Sequence, residues 1–397
     1  MVVVVVLTVL AVVALLVGAH WFVWRRLVRD TTESSGTVRT LGTVAVVVLP
    51  LLSVAGVGVG RSGTPFLLQQ VLAWPGYLWL AVLLYLVLAL LVGEAVRPLL
   101  RRLTDRRETE REPAADLVTV GASAGSGSGS GAGDRTSSTS PVAVTPAAAV
   151  TPATVGGAGS DGDGPRDDQA TRPGGTTTAS PSRRLFVSRV VGGAAATAAL
   201  ATVGYGTYGV LRGPRIKRVT VPLAGLPRSA HGFRIAVVSD IHLGPILGHA
   251  HTRRIVDTIN SARPDLIAVV GDLVDGSVED LGPAAEPLAG LEAPHGAFFV
   301  TGNHEYFSGA AAWVDHVREL GLRPLENERV EIPGFDLAGV NDVAGESEGS
   351  GPDFEKALGD RDRARTSVLL AHQPVVIDDA VRHGVDLQLS GHTHGGQ

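Results

Sequence analysis

Five short motifs in the C-terminal part of the sequence carry side chains that bind metal ions. They are Asp240-Ile241-His242, Gly271-Asp272, Gly302-Asn303-His304-Glu305, Ala371-His372 and Gly391-His392-Thr393-His394. Each directly follows an apolar run that predicts a β-strand. Because strands in one sheet end at a common edge, the five strand ends would gather carboxylates, imidazoles and an amide in one place. The motifs therefore predict a metal site.

The types of candidate ligand limit which metal ions could bind and which reaction these ions could support. A mixed oxygen and nitrogen set suits Zn, Mn, Fe or Ni better than Ca or Mg, which prefer oxygen alone. The candidate ligands are too many for one ion. Two ions about 3.5–4 Å apart that share a carboxylate activate a water and hold the attacking and leaving oxygens of a phosphoryl group. The pattern therefore predicts hydrolysis of a phosphoester.

Strands and helices that position these motifs alternate from Lys217 onward. The predicted strands are 233–239, 266–270, 297–301, 335–340, 368–370 and 387–389, and the predicted helices are 252–262, 311–320 and 376–383. Continuous apolar strands are buried on both faces, as in a sheet covered by helices. The predicted fold class is α/β, a layered α/β sandwich.

The first 111 residues form a predicted membrane region. Three apolar runs, at about 2–24, 41–60 and 77–96, are each long enough to cross a bilayer, which needs roughly 20 apolar residues. A cleaved signal peptide is the alternative for the first run, but that run lacks a positively charged start and two further runs follow it. We therefore expect three transmembrane helices.

Residues 112–181 are rich in Gly, Ser, Thr, Ala and Pro and predict a disordered linker. Residues 182–212 contain an arginine pair followed by a weakly apolar run, which predicts either a twin-arginine signal or a fourth transmembrane helix. Both alternatives place the C-terminal domain outside the cytoplasm, since arginines after the first and third runs mark the cytoplasmic side. The basic residues between 212 and 218 favour the opposite topology.

Composition excludes some classes of site. The chain has 397 residues, a formal net charge of -5 and no cysteine, so disulfides and thiolate ligands are absent. Its arginines cluster beside apolar runs, as membrane topology signals do, and no nucleic-acid surface is evident.

The motifs together resemble the calcineurin-like metallophosphoesterase superfamily, in particular its membrane-attached bacterial members. The family pattern of Asp-x-His, Gly-Asp-x-x-Asp, Gly-Asn-His-Glu/Asp, a lone His and Gly-His-x-His is matched in order between residues 217 and 397. The resemblance implies two divalent transition-metal ions and a metal-bridging hydroxide as nucleophile. It assigns Asp240, His242 and His394 to one ion, Asn303, His372 and His392 to the other, and Asp272 to the bridge between them.

The resemblance also implies two catalytic residues that are not ligands. His304 would stabilise the developing charge or protonate the leaving oxygen, and Asp275 would hold its imidazole. The expected activity is hydrolysis of a phosphomonoester or phosphodiester at the membrane surface, near lipid or cell-envelope substrates. The alternative is a metal-bound domain that recognises a phosphoryl group without turnover. Because related domains continue beyond the last motif, the domain is expected to be truncated at its C-terminus.

Overall fold

The structure is a computed structural model that describes residues 1–32, 36–59, 64–109 and 183–395. The predicted disordered linker, 112–181, lies outside these ranges.

The N-terminal region is built from long apolar helices. They are α1 (Val2–Val23), continued by a π-helical turn (Trp24–Arg29), α2 (Thr37–Val59), α3 (Phe66–Thr109) and α4 (Arg183–Leu211). In the described residues, four helices are long and apolar enough to cross a membrane. The third helix extends beyond its predicted bounds of 77–96, because its glutamine-containing start and arginine-rich end lower hydropathy without breaking a helix.

Contacts between these helices are both apolar and polar. Arg26 pairs with Glu94 at 2.7 Å, and the Ser53 hydroxyl donates to the Gly76 carbonyl at 2.8 Å. Small residues of α4 pack against leucines of α3 and the end of α1 in a buried cluster of Val23, Leu83, Leu86, Leu90, Ala195 and Ala199. Small side chains let helix backbones approach closely, as is common in membrane bundles.

The first sheet contains four parallel strands in the order β1-β2-β3-β4. They are β1 (Ile235–Val238), β2 (Leu266–Val270), β3 (Ala297–Val300) and β4 (Arg323–Pro324). The helices between them are α5 (His249–Ser261), α6 (Val278–Ala285), α7 (Asn303–Ser308) and α8 (Ala310–Glu319).

The second sheet has the order β5-β6-β7-β8, with β5 antiparallel to β6 and the other pairs parallel. Its strands are β5 (Glu328–Ile332), β6 (Phe335–Gly339), β7 (Thr366–Leu370) and β8 (Leu387–Leu389). Helices α9 (Phe354–Leu358) and α10 (Ile377–Arg382) accompany it. Short 3₁₀ turns span Arg228–Ala230, Glu286–Gly290, Val343–Glu348 and Pro374–Val376.

Alternation along β2 shows how the two sheets are layered. Leu266, Ala268 and Val270 face a core shared with the second sheet, while Ile267 and Val269 face α5, α6 and α8. A third cluster covers the outer face of the second sheet with α9 and α10. All five β2 residues are fully buried, which explains their continuous apolar pattern. The predicted layered α/β sandwich is confirmed.

Candidate metal centre

The five motifs meet where strands of both sheets end. Asp240 follows β1, Asp272 follows β2 and Asn303 follows β3, while His372 and His392 follow β7 and β8 of the second sheet. A hydrogen bond links the ends of the two sheets here: the backbone N–H of His392 donates to both oxygens of the Asp240 carboxylate, at 3.0 and 3.1 Å. Ser239 precedes the first motif and was not predicted as a site residue, yet its hydroxyl donates to the same carboxylate at 2.6 Å.

One group of side chains consists of Asp240, His242 and His394. The Nε2 atoms of the two histidines lie 3.2 Å apart, and Nε2 of His394 lies 3.3 Å from an Asp240 oxygen. One donor atom from each residue falls within 4.8 Å of the others, close enough to share an ion. The family resemblance implied the same group of three residues.

A second group consists of Asp272, His372 and His392, whose ligand atoms also lie within 4.8 Å of one another. Asn303 joins it, since its Oδ1 lies 3.1 Å from Nδ1 of His392. Asp272 also reaches the first group: its Oδ2 lies 3.1 Å from Nε2 of His372 and 3.7 Å from Nε2 of His242. One carboxylate oxygen therefore stands between the two groups.

The hydrogen bonds of His372 indicate that this space suits a cation. Its Nδ1 lies 2.9 Å from the Val270 carbonyl, which only accepts, so Nδ1 carries the proton. In the neutral ring, Nε2 then turns a lone pair toward the Asp272 carboxylate, and this buried atom makes no aligned hydrogen bond. Two acceptors face each other, and a metal ion between them satisfies both. The ligand atoms at this position therefore fit a divalent metal ion.

Electrostatics at the centre agree with that fit. Asp275 accepts a hydrogen bond from His242 and raises the pKa of this imidazole against the effect of partial burial. Burial acts to raise the pKa of Asp272, but the adjacent His372 imidazole and the hydrogen bond from the His304 N–H outweigh it and hold the pKa of this carboxyl below its usual value. The first shift reflects the negative charge around His242, and the second keeps Asp272 ionised, as a metal ligand must be.

The third group, His242, Asp275 and His304, lies beside the other two. One oxygen of Asp275 lies 2.6 Å from Nδ1 of His304 and 3.0 Å from Nδ1 of His242. The contact with His304 was expected, whereas the contact with His242 was not. Asp275 thus orients one candidate ligand and one candidate catalytic residue, and it leaves Nε2 of His304 facing away from that carboxylate.

Glu305, the fourth residue of the Gly-Asn-His-Glu motif, is completely buried beneath the site. Its carboxylate accepts the N–H groups of Asp272, Leu273 and Gly302 at 2.9, 2.8 and 2.6 Å. Burial raises its pKa to about 7, although these three donors favour the ionised form. The hydrogen bonds of Glu305 therefore link the loop after β2 to the loop after β3.

The backbone at the ligands is strained. In the described part of the chain, seven non-glycine residues have a positive φ, and five of them are candidate ligands: Asp240, His242, Asp272, His392 and His394, at 48° to 68°. This conformation costs roughly 1–3 kcal/mol for each side chain and is concentrated at functional sites. Asp and His tolerate it better than most residues.

Close packing and a backbone φ of +73° both require glycine at position 271. A Cβ atom there would lie 2.6 Å from the Gly302 nitrogen and 2.7 Å from Cγ of His372. The glycine therefore lets the two loops and His372 approach one another.

Comparison with known proteins agrees with this geometry. The sequence model of the calcineurin-like phosphoesterase family matches residues 233–396. Over 231 residues the chain is 31% identical to the "Uncharacterized metallophosphoesterase YkuE" of Bacillus subtilis (strain 168), a match that covers 54% of this chain and 78% of that protein. The chain belongs to the calcineurin-like phosphoesterase family. Members of this family are named for the hydrolysis of phosphoesters with divalent metal ions.

Two further relatives are named as metallophosphoesterases, and the name of one also includes a transmembrane region. The "Transmembrane protein with metallophosphoesterase domain" of Danio rerio is 37% identical over 214 residues, which are 51% of this chain and 48% of that protein. An "Uncharacterized metallophosphoesterase" of Aquifex aeolicus (strain VF5) is 37% identical over 185 residues, 46% of this chain and 70% of that protein. The chain spans about half the length of the first relatives it matches, 48% of the Danio rerio protein and 42% of one from Caenorhabditis elegans.

Proposed function

We propose that this protein hydrolyses a phosphoester at the membrane surface with two divalent ions. Asp240, His242 and His394 would hold one ion, and Asn303, His372 and His392 the other. Asp272 would bind both. The observation that carries the proposal is the position of Asp272, whose Oδ2 lies 3.1 Å from one group's imidazole and 3.7 Å from the other's.

Two bound ions would supply Lewis acidity and a water of lowered pKa beside the phosphoryl group. Hydrolysis forms one bond from phosphorus to the water oxygen and breaks one bond to the leaving alcohol, which takes up a proton. His304 is placed to deliver that proton from Nε2, because Asp275 holds its Nδ1 at 2.6 Å. Its side chain is 35% exposed, so a substrate can reach it.

Metal dependence of turnover tests the proposal. We expect the full chain, purified in a detergent without phosphate, to release p-nitrophenolate from bis-p-nitrophenyl phosphate or p-nitrophenyl phosphate when Mn²⁺ or Zn²⁺ is present. Chelation should abolish the release and added metal should restore it. An intact, metal-loaded chain that cleaves neither ester, or cleavage unaffected by chelation, contradicts the proposal.

We also propose that the domain lies outside the cytoplasm. Glu94, which pairs with Arg26, is about 30 Å along α3 from Trp74, at 1.5 Å per residue. That length matches the hydrocarbon thickness of a bilayer. Trp74 and the end of α4 lie against the domain in a cavity shared with Pro245 and His249. Arginines near residue 26 therefore mark the cytoplasmic side and the domain occupies the other.

Reporter fusions after residue 395 test this topology. We expect an alkaline phosphatase fusion, which folds only outside the cytoplasm, to be active, and a fluorescent protein that folds only inside to be dark. The reverse pattern places the domain in the cytoplasm and contradicts the proposed topology.

A further inference from the structure

A cavity of about 370 Å³ connects the candidate metal centre with the helices of the membrane region. One wall is formed by α3, with Trp74 and Leu78, and another by α4, with Thr207 and Val210. The loop after the first motif adds Ile246. The same cavity is lined by His242 and Asp275, so an occupant contacts apolar helix surface and the reaction site at once.

Aromatic residues place this cavity at the level of a membrane surface. Trp74 and Tyr77 line it and are 37% and 39% exposed. Tryptophan and tyrosine are enriched where the hydrocarbon of a bilayer meets water. Phe66, at the start of the same helix, packs against the core of the phosphoesterase domain. The cavity therefore lies at the domain-facing end of α3.

The residues that line the cavity favour some classes of phosphoester over others. Apart from His242 and Asp275, the residues that line the cavity are uncharged. Such walls give no binding energy to a second charged group, whereas each methylene buried against them strengthens binding about fourfold. The volume is in the range of small-ligand pockets, which are about 300–1,000 Å³. An alkyl chain attached to the reacting phosphate fits both features.

We propose that the substrate is a lipid phosphoester whose alkyl chain lies in this cavity while its phosphate lies at the metal centre. The inference rests on the proposed function and narrows its substrate class. Binding would let the phosphoesterase take its substrate from the membrane surface, with the headgroup beside His242 and Asp275 and the chain between α3 and α4.

A chain-length series tests the inference on the full, metal-loaded protein in dodecyl maltoside. The substrates are p-nitrophenyl phosphodiesters that carry a methyl, butyl or hexyl group. We expect kcat/KM to rise at least tenfold from methyl to hexyl, chiefly through KM, because the added methylenes are buried. A flat profile contradicts the inference and leaves the proposed function standing. Failure to hydrolyse every member contradicts the proposed function.

A substitution that fills the cavity tests the inference independently. In Thr207→Trp the ratio of kcat/KM for the hexyl ester to that for the methyl ester should fall at least fivefold. Leu200→Trp is the matched control, because Leu200 lies on the same helix, is 60% exposed and does not line the cavity. An unchanged ratio in correctly folded Thr207→Trp contradicts the inference.

Calorimetry measures the affinities for hexyl phosphate and methyl phosphate, and this measurement does not depend on hydrolysis. The unsubstituted chain should bind hexyl phosphate at least tenfold more tightly, and Thr207→Trp should lose this preference. Equal affinities in the unsubstituted chain would mean that the cavity wall only contacts membrane lipid, and the inference would be wrong.

Discussion

Replacing Asp272 with Asn should lower kcat/KM for a phosphodiester by roughly 10³-fold or more, about 4 kcal/mol of barrier. The amide keeps the shape of the side chain but loses its charge, and only one of its two end atoms can bind metal. Its remaining oxygen can still accept the His304 N–H, now 3.0 Å from Asp272. The fold should therefore survive while the link between the two groups is lost.

Initial rates at saturating Mn²⁺ check this expectation. The matched control is Asp257→Asn, an exposed carboxylate on α5, which should change kcat/KM less than twofold. Near-normal activity of Asp272→Asn over a range of metal concentrations would show that this residue does not join two ions.

Replacing Glu305 with Gln should lower the free energy of unfolding by about 3 kcal/mol. The carboxylate accepts three backbone N–H groups, and no exposed surface remains for water to replace it. Glutamine offers one oxygen and turns an NH₂ group toward one of the donors. A buried donor is then left without an acceptor, which is costly.

Thermal unfolding followed by tryptophan fluorescence measures the effect, since Trp313 is buried in the domain. For a domain of this size the midpoint should fall by roughly 6–12 °C. Glu319→Gln is the control, because the Glu319 side chain is 76% exposed. A fall of under about 1 °C in Glu305→Gln would show that its hydrogen bonds add little to stability.

Much of the fold could be predicted from the pattern of apolar residues in the sequence. Strand β2 was predicted with its observed bounds, Leu266–Val270, because both of its faces are buried. Strands β4 and β5 were not predicted. Only two residues of β4 pair, one of them a proline, and β5 alternates charged with apolar residues as an edge strand does. Helix α6 contains Pro283, which hides its helical pattern.

The site was predictable as far as strand order determines it. Motifs that end parallel strands meet at one edge, and Asp240, Asp272 and His372 do so. Contacts that depend on side-chain direction were not predictable. His242 and Asp275 are 33 residues apart and meet only because the first two loops pair, with the Asp275 N–H donating to Leu243 at 2.8 Å. The three donors of Glu305 likewise depend on how two loops pack.

Native mass spectrometry of the full chain after loading with Mn²⁺ or Zn²⁺ tests the two-ion centre most directly. The mass should increase by two ions per chain, and Asp272→Asn under the same conditions should retain one ion or none. A chain that is saturated by a single ion, or an Asp272→Asn variant that keeps both, would contradict a centre in which this carboxylate binds two metals.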